Sequence, residues 1–260
     1  MSKSSGIIIA HRGESFNAPE NTLASIDLAW KNKARAVEID IHLTNDNEIV
    51  VIHDSDTLRT SGKKKIIQNA TLQELRLLDF GSFKNKKWKN ERIPTLSEVL
   101  KTVPSGGKLI IEIKSDHRIL DRLKIDLAQS RLKNSQIELI AFNVDTLAKA
   151  KQMMPEYRML WLINLDYYWP YWIIWVNKQQ LINKVKKHNL NGVDVWAGKF
   201  LNSSFIEKFQ KAGLLVYAWT VDNPEKANTL LENGIDGITT NVAGWITEQL
   251  KHYNLKINTL

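Results

Sequence analysis

The feature that most constrains this chain is an alternation repeated eight times. Short β-branched runs at 7–10, 37–41, 109–113, 137–142, 158–163, 192–196, 215–220 and 235–239 are separated by stretches with helical periodicity. In the first connection Leu23, Ile26 and Trp30 recur at i, i+3 and i+7, which makes one face of a helix apolar. The same reasoning predicts helices over 95–103, 119–132, 146–153, 179–188, 204–211 and 224–232, and a last one from about Val242. Stacked βα units imply parallel strands. Eight strands, each followed by a helix, is the count for a closed (β/α)8 TIM barrel, an architecture of about 250 residues. The chain has 260. A doubly wound open sheet is the rival, but it seldom alternates so regularly through eight units. We expect one barrel domain over 1–260.

Two stretches break the alternation. A further apolar run, 49–53, follows the second strand after only a short polar turn. A parallel crossover needs a dozen or more residues, so this run must return antiparallel as a hairpin. A turn centred on Asp46-Asn47, residues that tolerate positive φ, would pair Asp40 with His53. The polar, Lys-rich segment 54–93 is too long for a βα loop and reads as an inserted cap over the top of the barrel.

Side chains two apart in a strand share a face. In Val37-Glu38-Ile39-Asp40-Ile41 the branched aliphatics face outward to the helices, so Glu38 and Asp40 point into the barrel. Ile111-Glu112-Ile113-Lys114 places Glu112 and Lys114 the same way. Acid pairs at this spacing usually lie on a solvated face, but the flanking aliphatics remove that reading. Three inward carboxylates are too costly to bury without cations. Oxygen-only ligation suits a hard divalent ion such as Mg2+ or Ca2+ better than zinc. His11 and Arg12 end the first strand, and the hairpin returns His53 to the same rim, where barrel chemistry sits. With one dication, the acids and the Arg12 and Lys114 cations leave a single net positive charge, which a phosphodiester monoanion would neutralise. Two histidines, one accepting and one donating a proton, are what phosphodiester cleavage needs near neutral pH. His42 shares the inward face with Asp40 and is expected to be a rim residue without a chemical role. Arg12 and Lys114 could equally serve only to brace the acids.

His11-Arg12-Gly13 followed by Ala18-Pro19-Glu20-Asn21-Thr22 resembles the opening of the glycerophosphodiester phosphodiesterase family. Glu38-Ile39-Asp40, Val50-Val51-Ile52-His53-Asp54, Ile93-Pro94-Thr95-Leu96, Ile111-Glu112-Ile113-Lys114 and Ala218-Trp219-Thr220-Val221 continue the resemblance in order along nearly the whole chain. It implies a metal-dependent barrel enzyme that hydrolyses glycerophosphodiesters to sn-glycerol 3-phosphate and an alcohol. Carried over by residue, Glu38, Asp40 and Glu112 would hold the metal, and His11 and His53 would be the acid/base pair. Arg12 and Lys114 would grip the phosphate, while Phe142 and Trp219 would wall the glycerol carbons. Which histidine is the base is open, as is a cyclic phosphate intermediate. The chain departs from the family's frequent Thr-Asp and nearby Pro at Thr239-Thr240-Asn241-Val242-Ala243. There Asn241 can still cap the following helix. The usual turn glycine is absent at Thr44–Glu48, where Asn47 can supply the positive φ.

The net charge of +8 favours anionic ligands, but no helix-turn-helix or zinc-finger pattern points to nucleic acid. The longest apolar run, 169–176, is far short of the roughly 20 residues that span a bilayer. The run at 7–10 is too brief for a signal-peptide core. Without cysteine there is no thiolate chemistry, and a cytoplasmic location is expected. Trp161, Tyr167, Tyr168, Trp169, Tyr171, Trp172 and Trp175 crowd one connection, and the 9 Trp of the chain outnumber its 7 Phe. This cluster either packs on itself or forms an apolar lip for an acyl chain or a membrane interface. Small-molecule partners are thus a glycerophosphodiester or a lysophospholipid. Two rivals follow, a lysophospholipase D using the same site and a lipid- or phosphate-binding barrel without turnover.

Overall fold

A computed structural model describes residues 6–166 and 177–253. In chain order the elements are β1 (Ile7–His11), α1 (Leu23–Lys31), β2 (Ala36–Leu43), β3 (Ile49–Val51), α2 (Leu58–Ser61), α3 (Leu72–Leu75) and α4 (Leu96–Leu100). There follow β4 (Lys108–Ile113), α5 (Leu120–Gln129), β5 (Ile137–Ala141), α6 (Val144–Met153), β6 (Arg158–Ile163) and α7 (Lys178–Lys187). The last are β7 (Gly192–Trp196), α8 (Ser203–Lys211), β8 (Leu215–Trp219), α9 (Pro224–Glu232), β9 (Gly237–Thr240) and α10 (Ala243–Lys251). The strands run in the order β1-β9-β8-β7-β6-β5-β4-β2, and β1 pairs back onto β2, so eight parallel strands close into a barrel. This is the expected (β/α)8 fold.

Strand alternation sorts the side chains into two layers. Val37, Ile39, Ile41, Leu109 and Ile111 join the large apolar cluster under the helices, with Ile26 and Ala29 of α1 fully buried against it. Ile9, Ile110, Ile140, Leu160 and Tyr217 fill the barrel interior below the site. The last strand begins two residues later than the sequence reading, because Ile235 and Asp236 complete the turn that leaves α9 at Gly234, φ +86°. The amide of Ile235 donates to Leu230 O there.

β3 lies antiparallel on β2, but the register differs from the expected one. Ile41 faces Val51 and His42 faces Val50, which sets Asp40 opposite Ile52 rather than His53. The reason is the loop. Thr44 N donates to Glu48 O, and Thr44 Oγ1 donates to Asp46 Oδ1 at 2.6 Å. The hairpin is therefore closed by a five-residue loop pinned by Thr44, not by a two-residue turn. Asn47 does take the positive φ, +58°. Within β3 the period of two divides the side chains again. Ile49 and Val51 enter the main core, while Val50 and Ile52 join Ile67, Leu75, Leu78, Phe80 and Ile93 in a separate small core built by the inserted segment.

Candidate active site

The site is assembled from strand ends and the loops just beyond them. Register places His11 beside Glu38 and Asp40 beside Glu112, so the acids of β2 and β4 meet one imidazole across neighbouring strands. Glu38, Asp40 and Glu112 are all buried, and each offers an oxygen within 4.8 Å of the others. Glu38 Oε1 and Asp40 Oδ1 are buried without a hydrogen-bond partner. Burial, followed by the charges of Asp40 and Glu112, pushes the Glu38 carboxyl well above its usual range. Burial and the Asp40 charge push Glu112 up to about 7. Burial works to raise Asp40 too, but Arg12 and Lys114 hold it below its usual value. A trio of this kind, with orphaned oxygens and strained acidities, fits a bound cation: the ion would supply the missing partners.

The loop between β1 and α1 braces this trio. Arg12 and Asn21 both adopt positive φ, +56° and +58°. That bend lets Arg12 N donate to Glu38 Oε2 at 3.0 Å and sets Arg12 Nε 3.1 Å from Asp40 Oδ2. Arg12 Nη1 donates to Glu20 Oε1 at 2.9 Å. Asn21 Nδ2 donates to Asp40 Oδ2 at 2.8 Å. Lys114 Nζ lies 2.9 Å from Glu112 Oε1 and 3.7 Å from Asp40 Oδ1, beneath the Phe142 ring at 5.9 Å.

Both imidazoles reach the same cavity, about 260 Å³, together with Arg12, Glu38, Glu112, Lys114, Phe142 and Trp219. Burial, followed by the Arg12 charge, lowers the His11 pKa to about 4. His53 Nδ1 sits 2.6 Å from Asp54 Oδ1. Arg59 Nε in turn donates to Asp54 Oδ2 at 2.7 Å and its guanidinium grips both oxygens of Glu20. Trp219 meets Phe142 edge-on at 5.4 Å and Trp196 at 5.1 Å, which makes one aromatic side of the cavity. Thus the nine residues singled out in the sequence come together, except that Asp40 is tucked behind the lining. His42 is not among the residues lining this cavity; its Nε2 lies 3.1 Å from His53 O.

Several residues of the site escaped sequence reasoning. Asp194 lines the cavity from β7, fully buried, with Oδ1 unpartnered and its carboxyl raised well above normal by burial and then by Glu112. Its signal was present in Gly192-Val193-Asp194-Val195, the same alternation that betrays Glu38. Trp196 on the same strand face was also available to that argument. Asn241 corrects an expectation: α10 is preceded by Val242 with no side-chain cap, and Asn241 instead turns toward His11. The aromatic stretch lies largely outside the described residues; of its members only Trp161 is described, on β6, with Nε1 donating to Phe142 O at 3.1 Å.

A parallel barrel with an acid trio and two histidines at the carboxyl ends of its strands defines a phosphoric diester hydrolase of the TIM-barrel type. Residues 11–244 match the sequence profile of the Glycerophosphoryl diester phosphodiesterase family, and the chain belongs to that family. It is 34% identical to YhdW of Bacillus subtilis over 251 residues, covering 95% of this chain and 99% of that one. It is 30% identical to the glycerophosphodiester phosphodiesterase of Caldanaerobacter subterraneus, covering 90% of this chain and 93% of that one. Among solved structures it resembles an Oleispira antarctica phosphodiesterase in complex with the product sn-glycerol-3-phosphate. That likeness has a TM-score of 0.85 at 27% identity and covers 94% of this chain and 96% of the other.

Proposed function

We propose that the protein hydrolyses glycerophosphodiesters to sn-glycerol 3-phosphate and an alcohol, with one divalent ion, Mg2+ or Ca2+, held by Glu38, Asp40 and Glu112. The observation that carries this reading is the buried acid trio with two orphaned oxygens, beside two imidazoles in one cavity. When bound, the ion supplies a Lewis acid for a phosphoryl oxygen. Lys114 adds a second positive group beside the same acids. Arg12, committed to Asp40 and Glu20, holds the trio in shape and lends its charge to the anion. One histidine takes the proton of the attacking hydroxyl, which is water's or, where a cyclic phosphate forms first and water then opens it, the glycerol's own. The other gives a proton to the departing alkoxide, so the P–O bond breaks without releasing a strong base. Phe142 and Trp219, with Trp196, cover the glycerol carbons.

The cavity adjoins a polar cleft of about 650 Å³ that shares Lys114 and is lined by Lys64, Ser115 and Arg118. Such a cleft suits a polar alcohol better than an acyl chain. A lysophospholipid, with its single fatty chain, is the competing substrate on the same machinery. Turnover of glycerophosphocholine and lysophosphatidylcholine, each with Mg2+, Ca2+ or chelator, tests the proposal. Metal-dependent sn-glycerol 3-phosphate from the first supports it. Choline release from the second alone replaces it with a lysophospholipase D, and binding without product replaces it with a non-catalytic barrel.

The reading of 54–93 as a cap within a single domain belongs to this proposal, supported by its own apolar cluster and by the Arg59–Glu20 contact with the β1–α1 loop. A cytoplasmic location and peripheral lipid contact through 161–175 rest on the sequence, and 167–176 lie outside the described residues. No described helix is long and apolar enough to cross a membrane. Liposome sedimentation with and without Trp172→Ala and Trp175→Ala tests the contact; an intact protein that stays in the supernatant ends it.

A further inference from the structure

Asn241 is held from two sides. Its backbone amide donates to Asp222 Oδ1 at 2.8 Å, and Thr240 Oγ1 donates to the same oxygen at 2.8 Å. Its side-chain amide meets Asp222 Oδ2 at 2.7 Å, and its other end meets His11 Nδ1 at 2.7 Å. Ser15 Oγ donates to that same end at 3.2 Å.

The donor and acceptor roles along this chain follow from chemistry. An ionised carboxylate only accepts, so the Asn241 atom facing Asp222 must be the NH2 group. Its carbonyl oxygen then faces His11. A carbonyl oxygen has no proton to give, so Nδ1 of the imidazole must carry one. A neutral ring has only one N–H, which leaves Nε2 bare, and Nε2 is the nitrogen on the acid side, 3.9 Å from Glu38 Oε2.

We propose that the Asp222–Asn241 pair is a positioning device that fixes His11 in the Nδ1–H tautomer, presents Nε2 to the substrate as a proton acceptor, and so makes His11 the base. This rests on the phosphodiesterase reading given above, and it settles which of the two histidines takes the proton. Asp222 lies on the β8–α9 loop and is not among the residues that line the cavity. Besides Thr240 Oγ1 it holds the backbone and side-chain amides of Asn241, and through the latter it reaches His11.

Asp222→Asn separates positioning from simple support. The backbone N–H of Asn241 cannot turn round, so the new amide keeps its oxygen on that N–H and directs its NH2 at the Asn241 side chain. Two NH2 groups then oppose each other. Asn241 flips, its NH2 faces His11 Nδ1, and the ring proton moves to Nε2. The wild-type protein, labelled with 15N in the histidine rings, is expected to show His11 with Nδ1 protonated and Nε2 bare. In Asp222→Asn the ring proton moves to Nε2 and kcat falls about 100-fold while KM changes by less than about twofold, the pattern of a lost tautomer rather than lost binding. The double variant Asp222→Asn with Asn241→Asp restores an acceptor facing His11 and a donor facing it in turn, and recovers kcat to within about threefold. A wild-type ring protonated on Nε2 overturns the proposal, as does an Asp222→Asn variant with unchanged kcat. Full activity in His11→Ala, by contrast, overturns the role given to His11 in the phosphodiesterase reading and leaves the tautomer result to stand or fall by the ring spectrum.

Discussion

Each imidazole reaches the cavity with one ring nitrogen already engaged, His11 by an amide oxygen and His53 by a carboxylate. If each moves a proton, His11→Ala and His53→Ala lower kcat by about 10^2 to 10^4, measured as sn-glycerol 3-phosphate release at saturating substrate. Asp54 offers a test by pH. Burial would raise its carboxyl, but the hydrogen bonds from Arg59 and His53 bring it down to about 2 from an ordinary 3.8. A depressed carboxylate stabilises the fold fully above its unfolded value and loses that contribution as pH falls through the folded one. Thermal melts of wild type and Asp54→Asn should therefore differ above about pH 4 and converge as pH falls to about 2. Legibility at this scale had a clear boundary. Alternation marks Glu138 of Ile137-Glu138-Leu139 as strongly as it marks Glu112, yet Glu138 lies at the amino-terminal end of β5, beside Lys108 and Arg158, the first residues of β4 and β6. There it accepts from Tyr217 Oη at 2.8 Å and meets Lys108 Nζ at 2.9 Å, on the floor of the barrel. Face is written in the period of two; depth depends on which strand ends the closed barrel brings together.

At the scale of elements, the β1–α1 loop holds Arg12, Gly13 and Asn21 at positive φ. Gly13 takes φ +79°, and a Cβ added there would sit 2.5 Å from the Ser25 carbonyl carbon. Ser25 holds the loop by donating to Arg12 O through Oγ and accepting from Glu14 N through its carbonyl. Gly13→Ala must push this loop off α1 and carry Arg12 with it. A displacement near 1 Å at the acid trio is expected to lower kcat/KM by about 10^2. Melting and kinetics on the same preparation check this, since a folded variant with full activity would show that the loop does not set the site. The sequence made the existence of nearly every strand and helix readable, because β-branched runs and the 3.6 period are local. It did not make the hairpin register readable. Thr44 closes that loop through its side chain, and the resulting five-residue count shifts Asp40 from His53 to Ile52. His53 still reaches the rim, since it leaves the hairpin after Ile52 N has bonded to Asp40 O at 3.0 Å. Asn241 was misread for a similar reason. Its partners, His11 and Asp222, are distant in sequence, whereas capping is a local rule.

For the whole molecule, barrel closure brings acids from β2 and β4 and His11 from β1 to one rim, the hairpin adds His53, and the cost of that crowding falls on the fold. Three carboxylates so close together lose several kcal/mol of solvation each unless a cation compensates. A ligand that binds only the folded state at one hundred times its dissociation constant adds about 2.7 kcal/mol. Mg2+ or Ca2+ should therefore raise Tm, and Glu112→Gln should remove most of that rise; an equal rise in the variant would place the ion elsewhere. The closed barrel was legible because eight alternations leave few other ways to bury both faces of a parallel sheet. The packing of the inserted segment was not, since its small core depends on Val50 and Ile52 turning away from the barrel. The central claim, one divalent ion among Glu38, Asp40 and Glu112 serving phosphodiester cleavage, is tested most directly by titrating metal into chelator-treated protein. Bound metal per chain and the rate of sn-glycerol 3-phosphate release are followed together. The rate should rise from near zero in proportion to bound metal and level off at one ion per chain. An undiminished rate in the metal-free protein would contradict it.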